Sequence, residues 1–408
     1  MDFLPSQLLL QMTLAWMKSH NLIATVSMAH SAPKLKLLFF VQLPPPYHGF
    51  TVMNRVAVES EFMSAFDVTL QVINFAASVD ELGGKFSFRK IFLLVKYLFQ
   101  IFGKCLTQRY DYAIYPICFS AIPFLRDVIL LSVVRLFGIK IIYYAHGNHL
   151  PEFYSRSPKW LQCLIDNFVR AATAAIVVGE NLKFNFTPFL PCERIFSVHN
   201  GIETFKSSPP LKKTKSHIQV LYLSNLTRTK GFFVLLEAIP KVIAHIKDIQ
   251  FVFAGAWEDL RDKADAENFV REKQLQDFVV WKGPVVGEAK EQLFYESDIF
   301  VFPTFYPIET FGIVNLEAMQ AGLPIITTGR AAIPEVVEDG VNGFIVPEQD
   351  PLAVAEKILL LAQDEHLRQR MRENNLKKFH QFYTKEKYAE RLIRTIEQIH
   401  ALHVQAHA

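Results

Sequence analysis

From residue 34 onward, the hydrophobic positions fall into short apolar runs rich in β-branched residues. Longer segments of helical period separate them. The first half has six such runs: Leu35–Leu43, Val68–Ala76, Tyr112–Cys118, Ile139–Gly147, Ala174–Gly179 and Arg194–Asn200. The second half has six more: Gln219–Asn225, Phe251–Ala256, Val279–Gly283, Ile299–Thr304, Pro324–Thr328 and Gly343–Pro347. Runs that are apolar throughout, rather than alternating, are the pattern of strands buried on both faces. The segments between them, such as 232–247 (FFVLLEAIPKVIAHIK) and 353–371, repeat at helical spacing. Strands alternating with helices predict an α/β class with doubly wound parallel sheets, and six strands per half predict two such domains.

The boundaries follow from local composition. Residues 206–217 (KSSPPLKKTKSH) contain two Pro and four Lys and little that is apolar, so they read as a linker. The expected organisation is an N-terminal extension over 1–33, a first domain over 34–205, the linker over 206–217, a second domain over 218–384 and a helical tail over 385–408. That tail either completes the second domain or crosses back onto the first. Residues 1–33 lack the pattern of a standard signal peptide, because Asp2 stands where positive charge is expected and Pro5 and Gln7 interrupt the apolar part. No uniformly apolar run reaches the roughly 18–20 residues of a spanning helix. The cytoplasm is the default expectation.

Charge and cysteine content narrow the function. The 408 residues carry a net charge of +3 from 43 basic and 40 acidic side chains, which does not suggest a dedicated nucleic-acid binder. Residues 1–205 hold 18 basic and 13 acidic residues, and the remainder 25 and 27, so the basic excess lies in the first half. Four cysteines, none at CxxC spacing, argue against a zinc ribbon or a disulfide framework. No Asp-x-Asp element is present, and no metal site is expected.

Ligands of doubly wound sheets bind beyond the carboxyl ends of the strands, so polar residues there are the candidates. The densest set follows the run 299–304. Glu309 falls in the strand-to-helix loop and Glu317 eight residues on, in the first turns of the next helix, with Gly312 between them. A helix N-terminus offers free N–H groups and partial positive charge, which suits a phosphate. A carboxylate nearby can accept hydrogen bonds from ribose hydroxyls. Taken alone, the pair also fits a capping Glu and a surface Glu.

The wider context decides between these. The run E-x7-E, continuing into EAMQAGLPIITT and IPEVVEDGVNGFIVP, resembles the retaining glycosyltransferases of family four, which have the GT-B fold. PPPYHGFTVMN after the first strand, YYAHGNH after the fourth, VHNGIE after the sixth and LSNLTRTKGFFVLLEAI at the start of the second domain are similar too. The resemblance covers roughly residues 34–385. It implies GT-B architecture, with two Rossmann-like domains facing a shared cleft, and transfer of a hexosyl group from a nucleotide-diphosphate sugar to a hydroxyl, with retention. It further implies that Glu309 lies by the donor sugar, Glu317 holds the ribose and Lys230 offsets charge on the diphosphate. Thr310, Phe311 and Gly312 would bring backbone N–H groups to the phosphates or sugar, and Gly49 would let the first domain approach the donor phosphate. His146 would contact the sugar from the acceptor side, although a His at a strand end also reads as a hydrogen-bonded structural residue. Same-face attack, with the leaving phosphate taking the acceptor proton, needs no carboxylate pair at glycosidase spacing. Apart from the nucleotide sugar as co-substrate, no cofactor is implied. Charge stabilisation by Lys and helix N-termini implies metal independence.

One position departs from the family pattern. Where Gly-Arg-Leu is usual, the chain has Ser224, Asn225 and Leu226, with Arg228 three residues beyond Asn225. Arg228 either supplies the missing charge or is an ordinary loop arginine. Asn200-Gly201 is expected to shape a positive-φ turn. Residues 85–106 (KFSFRKIFLLVKYLFQIFGKCL) set Arg89, Lys96, Gln100 and Lys104 on one side of a helix and Phe88, Phe92, Phe99 and Phe102 elsewhere. Such a helix either lies on an anionic membrane surface, peripheral at the inner face of the membrane, or packs on the core with a solvated edge. A saccharide or lipid-linked acceptor, as in cell-surface polysaccharide or glycolipid assembly, is the corresponding expectation. A sugar-nucleotide 2-epimerase of the same shape and a catalytically dead nucleotide-sugar-binding module are the alternatives.

Overall fold

A computed structural model of the chain describes residues 34–46, 49–76, 87–207 and 217–406. The extension 1–33 and most of the linker lie outside the described residues. The twelve apolar runs form twelve strands in two parallel six-stranded sheets. The first sheet contains β1 (Lys36–Val41), β2 (Asp67–Val72), β3 (Tyr112–Tyr115), β4 (Lys140–Ala145), β5 (Ala174–Val177) and β6 (Ile195–Ser197), in the order β2-β1-β3-β4-β5-β6. The second contains β7 (Ile218–Leu223), β8 (Ile249–Ala254), β9 (Val279–Gly283), β10 (Ile299–Phe302), β11 (Ile325–Thr328) and β12 (Gly343–Val346), in the order β12-β11-β10-β7-β8-β9. The central strands are apolar on both faces because both faces are covered by helices. Phe39, Ile114, Ile142, Val220, Phe251 and Val301 are all buried. Each order reverses once, between β1 and β3 and between β7 and β10, and these reversals open the crevices where ligands of such sheets bind.

The helix over Lys385–Gln405 crosses back onto the first domain. Its buried Tyr388, Leu392, Ile396 and Ile399 share one core with Phe39, Tyr112 and Ile142 of the first sheet. Tyr388 shares a 2.8 Å hydroxyl contact with Tyr144, and the Tyr112 hydroxyl lies 3.1 Å from His400 Nδ1. Each fully buried aliphatic contributes about 1.5–3 kcal/mol, so this helix is part of the fold of the domain it crosses to.

Two expectations need correction. The helical pattern 353–371 is broken at Asp364, which caps a new helix over Glu365–Phe382 by accepting from Leu367 N at 2.8 Å. A helix N-cap of this kind competes with continuation of the preceding helix. Asn200-Gly201 does not form a positive-φ turn. A side chain at Gly201 would meet the Thr384 carbonyl oxygen at 2.4 Å, so the glycine is required by the close passage of the returning chain.

Candidate active site

The second domain builds its wall of the cleft from the loops after β7 and β10. After β7 the chain makes a short turn over Arg228–Lys230 that ends at Gly231. Gly231 has φ +86°, and a Cβ there would lie 2.2 Å from the Pro303 carbonyl oxygen. Only glycine allows both, and the close approach sets Lys230 beside the loop after β10. Phe305 N donates to Thr229 O at 2.8 Å and ties the two loops together. Lys230 Nζ then lies 2.6 Å from Glu309 Oε2 and 4.3 Å from the centre of the Tyr306 ring. Burial pushes the Tyr306 hydroxyl up, with the charges of Glu258 and Glu309 adding to it, so the ring stays neutral beneath the ammonium.

The loop closes at Gly312, with φ +64°, and the helix Ile313–Gln320 begins there. The Phe311 side chain is buried against His199 and Tyr383, so only its backbone faces the loop. Thr310 O accepts from Ala332 N at 2.8 Å. Glu317 lies one turn into the helix, and its Oε1 is 2.5 Å from Lys290 Nζ on the helix Gly287–Glu296. Asn315 is fully buried, and neither polar atom of its side chain finds a hydrogen bond among the described residues. Its Nδ2 sits 2.7 Å from where a Gly312 Cβ would be. Unsatisfied buried amides are rare in folded proteins.

Arg228 is not brought into this group. It pairs with Asp262 at 2.8 Å and with Asp265, and lies over the Phe233 ring at 4.3 Å. Asn225, at the departing position, donates to Glu258 Oε1 at 2.6 Å. The position that usually holds arginine is therefore occupied by an amide–carboxylate pair.

The first domain supplies the opposite wall. Gly49 opens the helix Gly49–Val58, and a Cβ on it would lie 3.4 Å from Ile313 Cδ1, so the first residues of two helices from different domains face each other. His146, just past β4, packs against Phe50 and Tyr144 at ring distances of 4.7 and 4.5 Å. Asn148 Nδ2 crosses the cleft to Pro307 O at 3.0 Å and Glu309 O at 2.8 Å. Burial lowers the pKa of His149, so its ring favours the neutral form.

A further contact closes the cleft near the second strand edges. Glu335 accepts from Glu180 N at 2.9 Å and Asn181 N at 2.8 Å, and its Oε2 lies 2.5 Å from His199 Nε2. Burial pushes this carboxyl up. Hydrogen bonds from His199, Asn181 and Glu180 outweigh burial and hold it below its usual range. Among the described residues, no group of three or more His, Cys, Asp or Glu is arranged to hold a metal ion.

Comparison with known proteins matches this geometry to a family. The profile described as Glycosyl transferases group 1 covers residues 203–378. That match spans most of the second domain, the group 1 domain. The group 1 domain thus contains both cleft loops, Lys230, Lys290, Glu309 and Glu317. A phosphatidylinositol N-acetylglucosaminyltransferase gpi3 subunit from Schizosaccharomyces pombe is 26% identical over 266 residues, 59% of this chain and 56% of that protein. Spore coat protein SA from Bacillus subtilis is 31% identical over 44% of this chain and 48% of its own. A phosphatidyl-myo-inositol mannosyltransferase from Mycobacterium leprae is 31% identical over 40% of each. The chain spans about half the length of these relatives or less. Among solved structures, Anabaena HepE in complex with UDP and glucose superposes with TM-score 0.69 at 18% identity, covering 89% of this chain and 99% of that one. A glycosyltransferase from Rickettsia africae gives 0.71 at 15% identity, with 90% and 99% covered. The fold of the group 1 domain and its N-terminal partner is GT-B.

Proposed function

We propose that the chain transfers a hexosyl group from a nucleotide-diphosphate sugar to a hydroxyl of a saccharide or lipid-linked acceptor, with retention of configuration. The observation that carries this reading is the cluster at the β7/β10 reversal. Lys230 and Glu309 are in contact, Glu317 lies one turn further on, and the N-terminus of Ile313–Gln320 points into the space between the domains. Glu317 is suited to accept from ribose hydroxyls. The free N–H groups after Gly312, together with Lys230, face the place where diphosphate charge grows. Positive groups fixed at such a place are usually the largest catalytic contribution. Glu309 braces the sugar, with Asn148 holding its backbone from the other domain. The acceptor oxygen bonds to the anomeric carbon as the bond from that carbon to the diphosphate breaks. The departing phosphate oxygen takes the acceptor proton. His146 lines the acceptor side.

Relatives support the substrate class. HepE was solved with UDP and with UDP-glucose, and names among the relatives include glycosyltransferases of colanic acid and of phosphatidylinositol. We assign the diphosphate charge to Lys230 and the helix N-terminus, and expect turnover to persist in excess chelator. The test is the melting midpoint with UDP, GDP, ADP and their sugar conjugates, since a ligand of the folded state raises it. A rise with one base that is lost in Glu317→Ala supports the reading, and product analysis with the matching sugar then separates transfer from epimerisation. No rise with any of them overturns it.

A further inference from the structure

The helix Phe88–Thr107 presents two features that glycosyl transfer does not use. Along one line, Phe92, Val95, Phe99, Phe102 and Leu106 follow one another at alternating steps of three and four, and all are exposed, Phe92 by 68% and Phe99 by 74%. The neighbouring helix Ala121–Leu136 continues the apolar surface through Ile122, Ile129 and Leu136, each seven residues apart. The two join where the Phe102 ring meets Phe137 at 5.5 Å. Contiguous apolar surface on this scale marks a contact site.

The second feature starts on the flank of the same helix, about a quarter-turn round at Lys96, and runs to nearly half a turn round at Lys104. Lys96, Gln100 and Lys104, spaced four residues apart, line a cavity of about 450 Å³ against Leu70, Gln71 and Val72 of the edge strand β2. Lys104 Nζ donates to Leu70 O at 2.6 Å and to Gln71 Oε1 at 2.8 Å. Both partners are neutral, and an ammonium has a third donor. The buried Gln71 amide also donates to Gln100 Oε1 at 3.1 Å. Burial without a carboxylate lowers the Lys104 pKa. From Ser87 to Arg109 there are five basic residues and no acidic one. An apolar line flanked by Lys96 and Lys104, neither of which meets a carboxylate among the described residues, complements a surface that is apolar inside and anionic at its rim.

We propose that this face docks on an anionic phospholipid bilayer, with the exposed aromatic line entering the acyl boundary and Lys96 and Lys104 taking a headgroup phosphate in the cavity against β2. The lysine stems can reach along apolar surface while the ammonium groups stay at headgroup level. Docking is read without donor or acceptor, so it stands or fails separately from the proposed transfer.

The test is flotation of the full chain with vesicles of phosphatidylcholine alone and with one-third phosphatidylglycerol. The expected result is binding to the anionic vesicles only. Phe92→Ser with Phe99→Ser should lower partition at least about tenfold. Lys96→Gln should lower it about fivefold. Melting midpoints should be unchanged for these exposed positions. Four results would overturn the proposal. The first is equal binding to both vesicles, and the second is binding to neither. The third is self-association abolished by Phe99→Ser without vesicle binding. The fourth is a stabilising shift with inorganic phosphate, lost in Lys104→Gln, in a protein that leaves vesicles unbound.

Discussion

The two walls of the cleft are made of different chemistry on similar scaffolds. The group 1 domain lines its wall with preformed ion pairs, Lys230–Glu309 and Lys290–Glu317, and keeps Arg228 fixed to Asp262 and Asp265 further back. The N-terminal domain offers rings and amides instead: Phe50, His146, Asn148 and His149. Both walls sit at a reversal of strand order, so topology does not explain the difference. In the proposed transfer, the group 1 wall would meet a diphosphate charge, and oriented ions do so without rearrangement. A wall of rings and amides suits a hydroxyl acceptor.

The strongest way to break this comparison is to neutralise one side at a time. Lys230→Ala should lower kcat about 10²–10³-fold, as loss of one oriented charge stabiliser does, measured by product formation under saturating donor. A loss of the same size in His146→Ala would erase the distinction between the walls. Glu317→Ala should weaken nucleotide binding about tenfold or more, the worth of a charge-assisted hydrogen bond, and calorimetric titration reads it. Among the described residues the Lys290 ammonium bonds only to the Glu317 carboxylate, so Lys290→Ala should raise KM for the donor severalfold while kcat stays within about twofold.

Closure gives a smaller effect with a sign. The Glu335 carboxyl is held below its usual range, so its contribution is full above the unfolded value of about 4.3 and is lost as pH falls through the lower folded value. Wild-type melting midpoints should therefore drop more steeply than those of Glu335→Gln below about pH 4. Parallel curves would show that the carboxylate does not hold the domains together. The smallest effect is expected at Arg228. Its ion pairs are 44% exposed on the arginine side, and exposed pairs contribute about 0–1 kcal/mol. Arg228→Gln should change donor KM less than about threefold, and a larger change would return it to the diphosphate site.

The sheets were legible because buried parallel strands leave an unambiguous apolar run, and because Gly, Pro and Lys-rich breaks separate them. Lys230 and Glu309 are 79 residues apart, and only the family resemblance linked them before the structure did. Lys290 carried no signal, since GEAKEQL reads as any solvated helix and its partner lies 27 residues away. Asn315 carried no signal either, as one polar residue in a short helix. Its burial goes with the turn at Gly312, whose Cβ position lies 2.7 Å from the Asn315 amide nitrogen. Glu335 was quoted only as part of a motif, because its partners Glu180, Asn181 and His199 all lie in the other domain. The break at Asp364 was hidden because the helices on either side share one period.

The helix Lys385–Gln405 also fixes an order of events during synthesis. The first domain emerges from the ribosome early, yet one face of its sheet is covered by Tyr388, Leu392, Ile396 and Ile399. At about 5–20 residues per second, roughly ten to forty seconds separate the last strand of that domain from its covering helix. In that interval the part of the sheet face not already covered by Met53, Val56 and Phe62 waits for its partner, so a nascent chain stalled before residue 385 should recruit chaperones.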